Sequence, residues 1–296
     1  MLISEHLKKY RTRVDRVLEQ KVDALDEVSE PLKKAMKHGL LLGGKRVRPI
    51  LVYTVGSMLG VGEDILDAPA AAIECIHAYS LIHDDLPCMD DDDLRRGHPT
   101  VHNVYGEAHG MLAGDALQTL AFEILSDDDF PEELRKNQIK MVNLLAKSSG
   151  YDGMCGGQSL DILAENRKIS LDELKKVHSH KTGALIRCAV LLGALSTPHI
   201  VSEYYDILSQ YADCIGLAFQ VHDDILDIIS DTEILGKPQG SDIANNKSTY
   251  PSLLGLDEAI AYEKTIIQEA IELLEKLPYD TTILKDFAKY IIDRKS

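Results

Sequence analysis

The sequence predicts an all-α protein, a large single-domain helical bundle with central buried helices. Apolar residues recur at intervals of three and four along most of the chain, while the alternating runs typical of strands are scarce. Pro31 and Pro198 stand at positions typical of a first helical turn, and Ser170 with Glu173 forms the pattern of a capping box. The segment 181–195 is apolar around most of its circumference, which predicts a helix inside a bundle.

The chain organisation indicates one domain, residues 1–296. No stretch rich in Gly, Pro or Ser is long enough for a linker, and periodic apolar patterning resumes after each break. The longest apolar runs are expected to be too short to span a bilayer. The N-terminal segment is charged throughout and lacks the apolar core of a signal peptide. These observations predict a soluble, cytoplasmic protein.

Charge and cysteine content exclude several classes of function. A formal net charge of −16 argues against nucleic-acid binding and against an anionic membrane surface, because both require a basic stripe. The few basic clusters in this acidic chain instead suggest a small anion. The five cysteines are scattered and odd in number, without C-x-x-C spacing, so they indicate neither a disulfide framework nor a zinc site.

Two acidic motifs resemble each other, HDDLPCMD at 83–90 and HDDILD at 222–227. In the second motif Asp223 and Asp227 stand at i and i+4, on one face of a helix, where their side chains can share one ion. The apolar sequence that leads into each motif argues against the simpler interpretation, a solvated helix end. The repeated motif therefore predicts a site.

The first motif contains a proline, which changes how its carboxylates can be arranged. Pro87 interrupts the helical run, so Asp90 is expected to return towards Asp84 and Asp85 from a helix end. Carboxylates without a completing His or Cys favour a hard cation with oxygen ligands, and Mg²⁺ is usually held by a few carboxylates plus substrate phosphates. An EF-hand calcium loop fits poorly, because its register of acids and its central Gly are missing.

Six segments together carry a family resemblance. They occur in order between residues 43 and 255 and are GGKRVRP, HAYSLIHDDLPCMDDDDLRRG, HKTGALIRCA, LAFQVHDDILD, GKPQGSD and NNKSTYPSLLG. In this combination the sequence resembles the bacterial trans-isoprenyl diphosphate synthase family, most closely its farnesyl diphosphate synthases. The resemblance implies an all-α fold of the isoprenoid synthase type, a homodimer, and Mg²⁺-dependent head-to-tail prenyl transfer. An allylic diphosphate, dimethylallyl or geranyl diphosphate, ionises, and its carbocation is attacked by isopentenyl diphosphate.

The resemblance also assigns roles to individual residues. The implied ligands of the Mg²⁺ ions that clamp the allylic diphosphate are Asp84, Asp85, Asp90, Asp223, Asp224 and Asp227. The implied direct contacts of that diphosphate are Arg95, Lys181, Lys237 and Lys247. Thr182 and Gln220 are expected to present oxygens to the carbocation. No side chain stands out as the general base, and the departing diphosphate is the candidate.

Isopentenyl diphosphate, the second substrate, must keep its diphosphate during the reaction. Its diphosphate is therefore expected in a pocket without the metal ions that promote ionisation of the allylic substrate. The residues implied for this pocket are Lys45, Arg48, His77 and Arg96. Pro49 disfavours a helical conformation at Arg48 while suiting the start of the next helix.

The resemblance implies that Tyr79 and Ser80, which precede the first acidic motif, limit the length of the prenyl chain in the product. For the run Asp91–Asp93, a solvated or supporting role is at least as well founded as metal ligation. The basic end Arg294–Lys295 fits a closing tail and a frayed terminus equally.

Three alternatives remain at this point. A geranylgeranyl diphosphate synthase is the alternative nearest in function, but such enzymes tend to carry a smaller residue at the position of Tyr79. A terpene cyclase normally carries an Asn, Ser and Glu pattern at the second metal site, whereas this chain has DDILD. A non-catalytic divalent-ion binder or regulatory subunit would account for the acidic motifs but not for the accompanying basic and polar segments.

Overall fold

The computed structural model describes residues 2–127, 129–229 and 248–294, and nearly all regular structure in these ranges is helical. The strands among the described residues form one short antiparallel ribbon, in which β1 (Leu94–Arg95) pairs with β2 (His98–Pro99). The prediction of an all-α protein is therefore confirmed.

The chain divides into two compact units. Unit 1 comprises Met1–Val142 with Leu195–Pro198, and unit 2 comprises Asn143–Ala194 with His199–Ser296. The interpretation as a single domain stays a prediction.

Unit 1 is built around one long buried helix, α4. The α-helices that lie wholly within this unit are α1 (Ile3–Asp23), α2 (Glu30–Leu41), α3 (Val47–Met58), α4 (Glu63–Asp84), α5 (Val101–Tyr105) and α6 (Glu107–Ser126), and a short 3-10 helix, Glu132–Leu134, follows them. Helix α4 packs against α3 and α6, and its Leu66, Ile73 and Ile76 are fully buried. Each such side chain stabilises the fold by about 1.5–3 kcal/mol relative to exposure. This packing fixes the helix that leads into the first acidic motif.

Helix α4 corrects one expectation about membrane spans. It is the one helix among the described residues that is long and apolar enough to cross a membrane, judged by length and composition alone. The expectation that every apolar run is too short is therefore wrong for α4. However, 67% of its most apolar window is buried inside the protein, and core helices of soluble proteins pass the same test.

Unit 2 surrounds the long helix α11. After α7 (Arg135–Ser149), which begins in unit 1, the helices are α8 (Met154–Ala164), α9 (Leu171–His178), α10 (Ala184–Leu195), α11 (Ser202–Ile229), α12 (Tyr250–Leu254), α13 (Leu256–Leu274) and α14 (Thr282–Asp293). A π-helical turn, Ser179–Gly183, joins α9 to α10. Helix α11 packs against α13 and α14 and carries the second acidic motif.

The predicted helix starts are confirmed at two places and wrong at a third. Helix α2 begins at Glu30 with Pro31 in its first turn. The capping box is present, since Ser170 Oγ accepts from the Glu173 N–H and Glu173 Oε2 accepts from the Ser170 N–H.

Pro198, in contrast, lies outside any helix, because α11 begins only at Ser202. The Asn137 side chain donates to the carbonyls of Leu195 and Thr197, at 3.1 and 2.8 Å. These bonds satisfy carbonyl groups at the end of α10. The segment therefore terminates one helix rather than starting the next.

Candidate active site

The basic loop before α3 has a backbone that only particular residues adopt. Gly43 and Gly44 have φ angles of +84° and +122°, and Arg46 is left-handed at +52°. A φ of +122° is a conformation that side chains with a Cβ rarely adopt, so the backbone at Gly44 favours glycine. These two glycines therefore give the loop a backbone path that other residues would adopt only with strain.

Arg48 is helical, which corrects the expectation drawn from Pro49. Helix α3 begins at Val47, so Arg48 and Pro49 both lie in its first turn. The amides of a first turn have no partner within the helix, and proline loses nothing there. The left-handed residue that precedes the helix is Arg46.

The basic residues of this loop differ in burial and in their partners. Arg46 is buried, and its guanidinium donates to Glu74 at 2.6 Å, to Asp15 at 2.8 Å and to the Leu40 carbonyl at 2.7 Å. Lys45 is exposed. Arg46 is thus a structural residue that links the loop to α4.

Arg48, Arg96 and His77 are brought together as predicted. Burial lowers the pKa of Arg48 to about 10, which leaves the group charged at neutral pH. Arg96 lies just after the acidic loop, with a φ of +55°, and donates from Nη1 to the Gly43 carbonyl. Desolvation, followed by the charges of Arg48 and Arg96, lowers the pKa of His77 well below its ordinary value. The result is a cationic cluster around a neutral imidazole, within unit 1.

The acidic loop turns back on the end of α4. The helix ends at Asp84, and the Asp90 N–H donates to the Asp84 carbonyl at 2.8 Å. Asp91 is left-handed, with φ at +53°, and its N–H donates to the Leu86 carbonyl at 3.2 Å. The predicted return of Asp90 towards the helix end is confirmed. The Asp84 side chain is half-buried and that of Asp90 is exposed.

Arg95 is the cation that compensates this loop. Its Nε donates to Asp85 Oδ1 at 2.9 Å, and its Nη2 contacts Asp85 and, at 3.1 Å, Asp92. Asp85 is buried, and burial raises its pKa while Arg95 opposes the rise. Asp93 accepts from Asn103 at 2.9 Å. Asp92 and Asp93 therefore have partners within the loop and its neighbours, which favours a supporting role for both.

The carboxylates of the second motif lie in different environments. Asp223 is 40% exposed, and its two oxygens accept from Arg294 at 2.5 Å and from Gln220 at 3.3 Å. Asp224 is buried and accepts from the Tyr250 N–H at 2.9 Å. Asp227 is only 1% exposed. Asp223 is therefore the accessible carboxylate of this motif.

Arg294, which follows α14, is anchored on the same motif in unit 2. Its guanidinium lies 3.9 Å from the centroid of the Phe219 ring. The Arg294 carbonyl accepts from His222 Nε2 at 3.0 Å, and His222 Nδ1 lies 2.8 Å from Glu263. Arg294 is therefore held against Asp223, whereas Lys295 lies outside the described residues.

The π-helical turn carries Lys181 and Thr182. π-turns are rare and often occur at functional sites. Lys181 Nζ lies 2.5 Å from Asp161 Oδ2, and Thr182 Oγ1 donates to Gln220 Oε1 at 2.8 Å. Gly157 of α8 faces the Lys181 backbone too closely to carry a Cβ. The sequence thus brings Thr182, Gln220 and Asp223 into one hydrogen-bonded chain.

Two residues implied for product length lie one after the other on α4. Tyr79 is buried, and its ring makes an edge contact with His83 at 5.7 Å between centroids. Ser80 is half-buried and donates to the His77 carbonyl at 2.9 Å. Lys237 and Lys247 lie outside the described residues.

The comparison with known families decides the identity of this arrangement. Residues 29–288, a span that contains both acidic motifs, match the polyprenyl synthetase family. The chain belongs to the polyprenyl synthetase family. The resemblance inferred from the six segments is thereby confirmed.

Individual relatives of this polyprenyl synthetase support the assignment. The chain is 54% identical over 285 residues to the farnesyl diphosphate synthase of Escherichia coli strain K12, covering 95% of each chain. It is 51% identical over 294 residues to the Haemophilus influenzae farnesyl diphosphate synthase, covering 99% of each. An apo structure of an FPP/GFPP synthase from Zymomonas mobilis matches with a TM-score of 0.87 and 35% identity over 98% of both chains. The isoprenoid synthase fold is confirmed.

Each unit of this polyprenyl synthetase offers oxygen ligands that fit a hard cation. Unit 1 has the accessible carboxylates of Asp84 and Asp90, unit 2 has that of Asp223, and oxygen is the ligand that Mg²⁺ prefers. Within the described ranges, no three carboxylate, imidazole or thiolate groups converge on one point. Substrate phosphates and water would therefore have to complete the coordination.

Sequence reasoning assigned no role to Arg46, Glu74 or Asp161. Arg46 sits inside the GGKRVRP motif, where nothing distinguishes it from its basic neighbours. Glu74 is a single acid in an apolar stretch of α4, and that isolation was the available signal.

The environment of His77 predicts a pH dependence of stability. In the folded protein the pKa of His77 is lowered. As the pH falls through the ordinary pKa of histidine, the imidazole of His77 is therefore protonated in the unfolded chain before it is protonated in the folded protein. Stability should therefore decrease from about pH 7 to pH 5, and His77→Asn should reduce this decrease. Thermal melting across this pH range measures the effect, with the exposed His98→Asn as control. An unchanged slope in His77→Asn would contradict the burial of a neutral imidazole.

Proposed function

We propose that the protein is a Mg²⁺-dependent prenyltransferase that condenses isopentenyl diphosphate with dimethylallyl and then geranyl diphosphate to give farnesyl diphosphate. One observation carries the proposal: α4 bears His77 within a cluster of arginines and, two turns later, the acidic loop at Asp84. At 1.5 Å per residue these positions are separated by roughly 10 Å along the axis. A single helix thus offers one environment for an intact diphosphate and another for a metal-bound leaving group.

The acidic motifs would act on the allylic substrate. We assign the ligand role to Asp84, Asp90 and Asp223, with Asp85, Asp224 and Asp227 supporting it from buried positions. When bound, Mg²⁺ stabilises the charge that develops on the departing diphosphate. Divalent-metal dependence of the family supports the choice of a divalent cation.

The cations near these motifs are already paired, and this determines how they would act. Arg95 is paired with Asp85 and Asp92, and Lys181 with Asp161. When the allylic diphosphate binds, each cation would donate to phosphate oxygens, either in place of its carboxylate partner or in addition to it. Neither cation would then have to move far. Lys237 and Lys247 are assigned to the same diphosphate from their motifs.

The residues around the reacting carbons would stabilise positive charge without capturing it. Thr182 and Gln220 are neutral, and their mutual hydrogen bond fixes both side chains. Neutral oxygens stabilise a carbocation, whereas a strong nucleophile would react with it. We assign removal of the final proton to the departing diphosphate, because no side chain is proposed as the base.

The pocket of Arg48, His77 and Arg96, with Lys45 at its edge, would hold the diphosphate of isopentenyl diphosphate. Its cations bind phosphate oxygens without the metal that promotes ionisation. The neutral imidazole supplies a hydrogen bond without adding a full charge.

We also propose that the enzyme is a cytoplasmic homodimer. Helix α6 exposes Met111 at 42% and Leu112 at 50%, an apolar surface suited to a second copy. All five cysteines lie within the described residues and are free thiols, which suits a reducing compartment. Analytical ultracentrifugation of the wild type and of Leu112→Glu tests the dimer.

The decisive experiment is a product analysis. The purified protein is incubated with Mg²⁺, isopentenyl diphosphate and each allylic primer, and the dephosphorylated products are identified by mass spectrometry. Farnesol as the main product supports the proposal, whereas geranylgeraniol would favour the geranylgeranyl synthase. If isopentenyl diphosphate is not consumed in the presence of metal, the proposal is wrong and the non-catalytic ion binder or regulatory subunit is favoured.

The two diphosphate environments predict different kinetic effects. Arg48→Ala should raise KM for isopentenyl diphosphate about tenfold or more with little change for the allylic substrate, because it removes a charged hydrogen-bond donor. Lys181→Ala should show the opposite pattern. Steady-state kinetics with each substrate varied in turn, and Lys34→Ala as an exposed control, measure the difference. The same pattern in both variants would overturn the division of the basic residues.

A further inference from the structure

Glu74 is a buried carboxylate that pairs with Arg46 and lies close enough to Arg48 and Arg96 to act on their charges. It lies in the middle of α4, one turn before His77, and is only 1% exposed. One of its oxygens accepts from Arg46, and the other is buried with no hydrogen-bond partner among the described residues. A buried, half-satisfied carboxylate is costly to keep ionised unless nearby positive charge stabilises it. Its surroundings therefore require an explanation.

Three guanidinium groups supply that charge. Arg46 contacts Glu74 directly, and desolvation lowers the pKa of Arg48 and of Arg96 while Glu74 opposes the decrease in both. Arg48 Nε is also buried without a hydrogen-bond partner among the described residues. Because three like charges close together repel one another, the pocket without ligand depends on the buried carboxylate of Glu74.

The proposed reaction adds a second requirement. The bond that breaks joins the allylic carbon to its own diphosphate, and the new carbon–carbon bond forms to isopentenyl diphosphate, which loses only a proton. The diphosphate of the second substrate therefore remains on the product. The pocket must bind it for the reaction and release it afterwards.

We propose that Glu74 is a positioning residue that keeps Arg46, Arg48 and Arg96 together without ligand and limits how tightly the pocket holds a diphosphate. This inference rests on the proposed assignment of the pocket to the second substrate. Without ligand, the carboxylate offsets repulsion among the guanidinium groups. With ligand, it repels the bound diphosphate and favours release.

The test is the binding of inorganic diphosphate in metal-free buffer with excess EDTA, measured by calorimetry. Glu74→Gln keeps the size of the side chain and its contact with Arg46 but removes the charge. It should bind diphosphate about tenfold more tightly than the wild type, since a charge at this range changes affinity by about that factor. Asp15→Asn, the matched control, removes the other carboxylate of Arg46 at a position whose side chain is 39% exposed. It should remain within about twofold of the wild type.

Measurements of turnover and of thermal stability distinguish a role of Glu74 in diphosphate release from a purely structural role. In Glu74→Gln, KM for isopentenyl diphosphate and kcat should both fall, because release slows. Its Tm should lie below that of the wild type without diphosphate and rise more when diphosphate is added. A lower Tm with unchanged or weaker diphosphate binding would overturn the proposal, because Glu74 would then only support Arg46.

Two further measurements cover the remaining outcomes. If Glu74→Gln does not fold in plain buffer, excess sodium diphosphate should restore the folded protein, and sodium chloride of equal ionic strength should not. Failure of diphosphate to do so would overturn the proposal. Arg48→Gln reports separately on the pocket: if it binds diphosphate as the wild type does, the pocket assignment is wrong and this inference falls with it. If Arg48→Gln loses binding while Glu74→Gln is unchanged, only the role of Glu74 is rejected.

Discussion

Replacing Asp84 or Asp223 by alanine should reduce kcat by about 10²- to 10³-fold, as expected when one group that stabilises a developing charge is removed. Asp84 ends α4 and Asp223 is the accessible carboxylate of the second motif. The Asp84 side chain is half-buried, so Asp84→Ala should change the free energy of unfolding little. Asp223→Ala should lower it more, because it removes the carboxylate partner of the buried Arg294 side chain. The rate of product formation at saturating substrate and the melting temperature measure the two effects.

Matched controls lie on the same two helices. Asp64→Ala on α4 removes a fully solvated carboxylate that pairs with Arg13, and Asp213→Ala on α11 removes one that lies 3.6 Å from Arg187. Surface ion pairs of this kind contribute little to stability, so both controls should retain near-normal kcat. Raising Mg²⁺ should partly restore Asp84→Ala or Asp223→Ala if the loss is in metal affinity. Near-normal kcat in either variant at moderate Mg²⁺ would contradict its assignment as a ligand.

Fold class and helix positions were accessible from the sequence because they depend on local patterns. The period of three and four in α4 and the Ser170–Glu173 capping box need only a few neighbouring residues. Pro198 was misjudged for the opposite reason. The bonds that end the preceding helix come from the Asn137 side chain, far away in the sequence.

The candidate site was predictable to the level of motifs but not of individual side chains. In GGKRVRP the three basic residues look equivalent, yet Arg46 is buried against Glu74, Lys45 is exposed and Arg48 faces the pocket. Which cation is buried depends on the left-handed turn at Arg46 and on a carboxylate from another helix. Pairing across elements, rather than spacing along the chain, decides such roles.

In the acidic motifs, too, packing rather than spacing decides which carboxylates are accessible. Spacing places Asp223 and Asp227 on one side of α11, but packing leaves Asp223 40% exposed and Asp227 almost fully buried. In the first motif, Arg95 compensates Asp85 and Asp92 directly. The number of aspartates in a motif therefore overstates the number of carboxylates that are accessible to an ion.

Product length is expected to change when the volume of Tyr79 is removed. Tyr79 is buried on α4, five residues or roughly 8 Å before the Asp84 end of the helix. A prenyl tail that extends from the diphosphate along this helix should meet the ring after a limited number of isoprene units. Tyr79→Ala should therefore shift the main product from C15 to C20 or longer. Its stability should fall by about 3–5 kcal/mol, as for other buried aromatic residues replaced by alanine.

The neighbouring position predicts the opposite change. Ser80 is half-buried, and its hydroxyl already donates to the His77 carbonyl, so Ser80→Phe would place a ring where a small side chain now lies. This variant should stop elongation early and give mainly C10. The conservative changes Tyr79→Phe and Ser80→Ala preserve the pocket volume and should leave C15 as the main product. Mass spectrometry of the dephosphorylated products measures all four variants. A C15 product in both Tyr79→Ala and Ser80→Phe would remove these residues from the wall that limits chain length, because neither added space nor added bulk would then reach the growing tail.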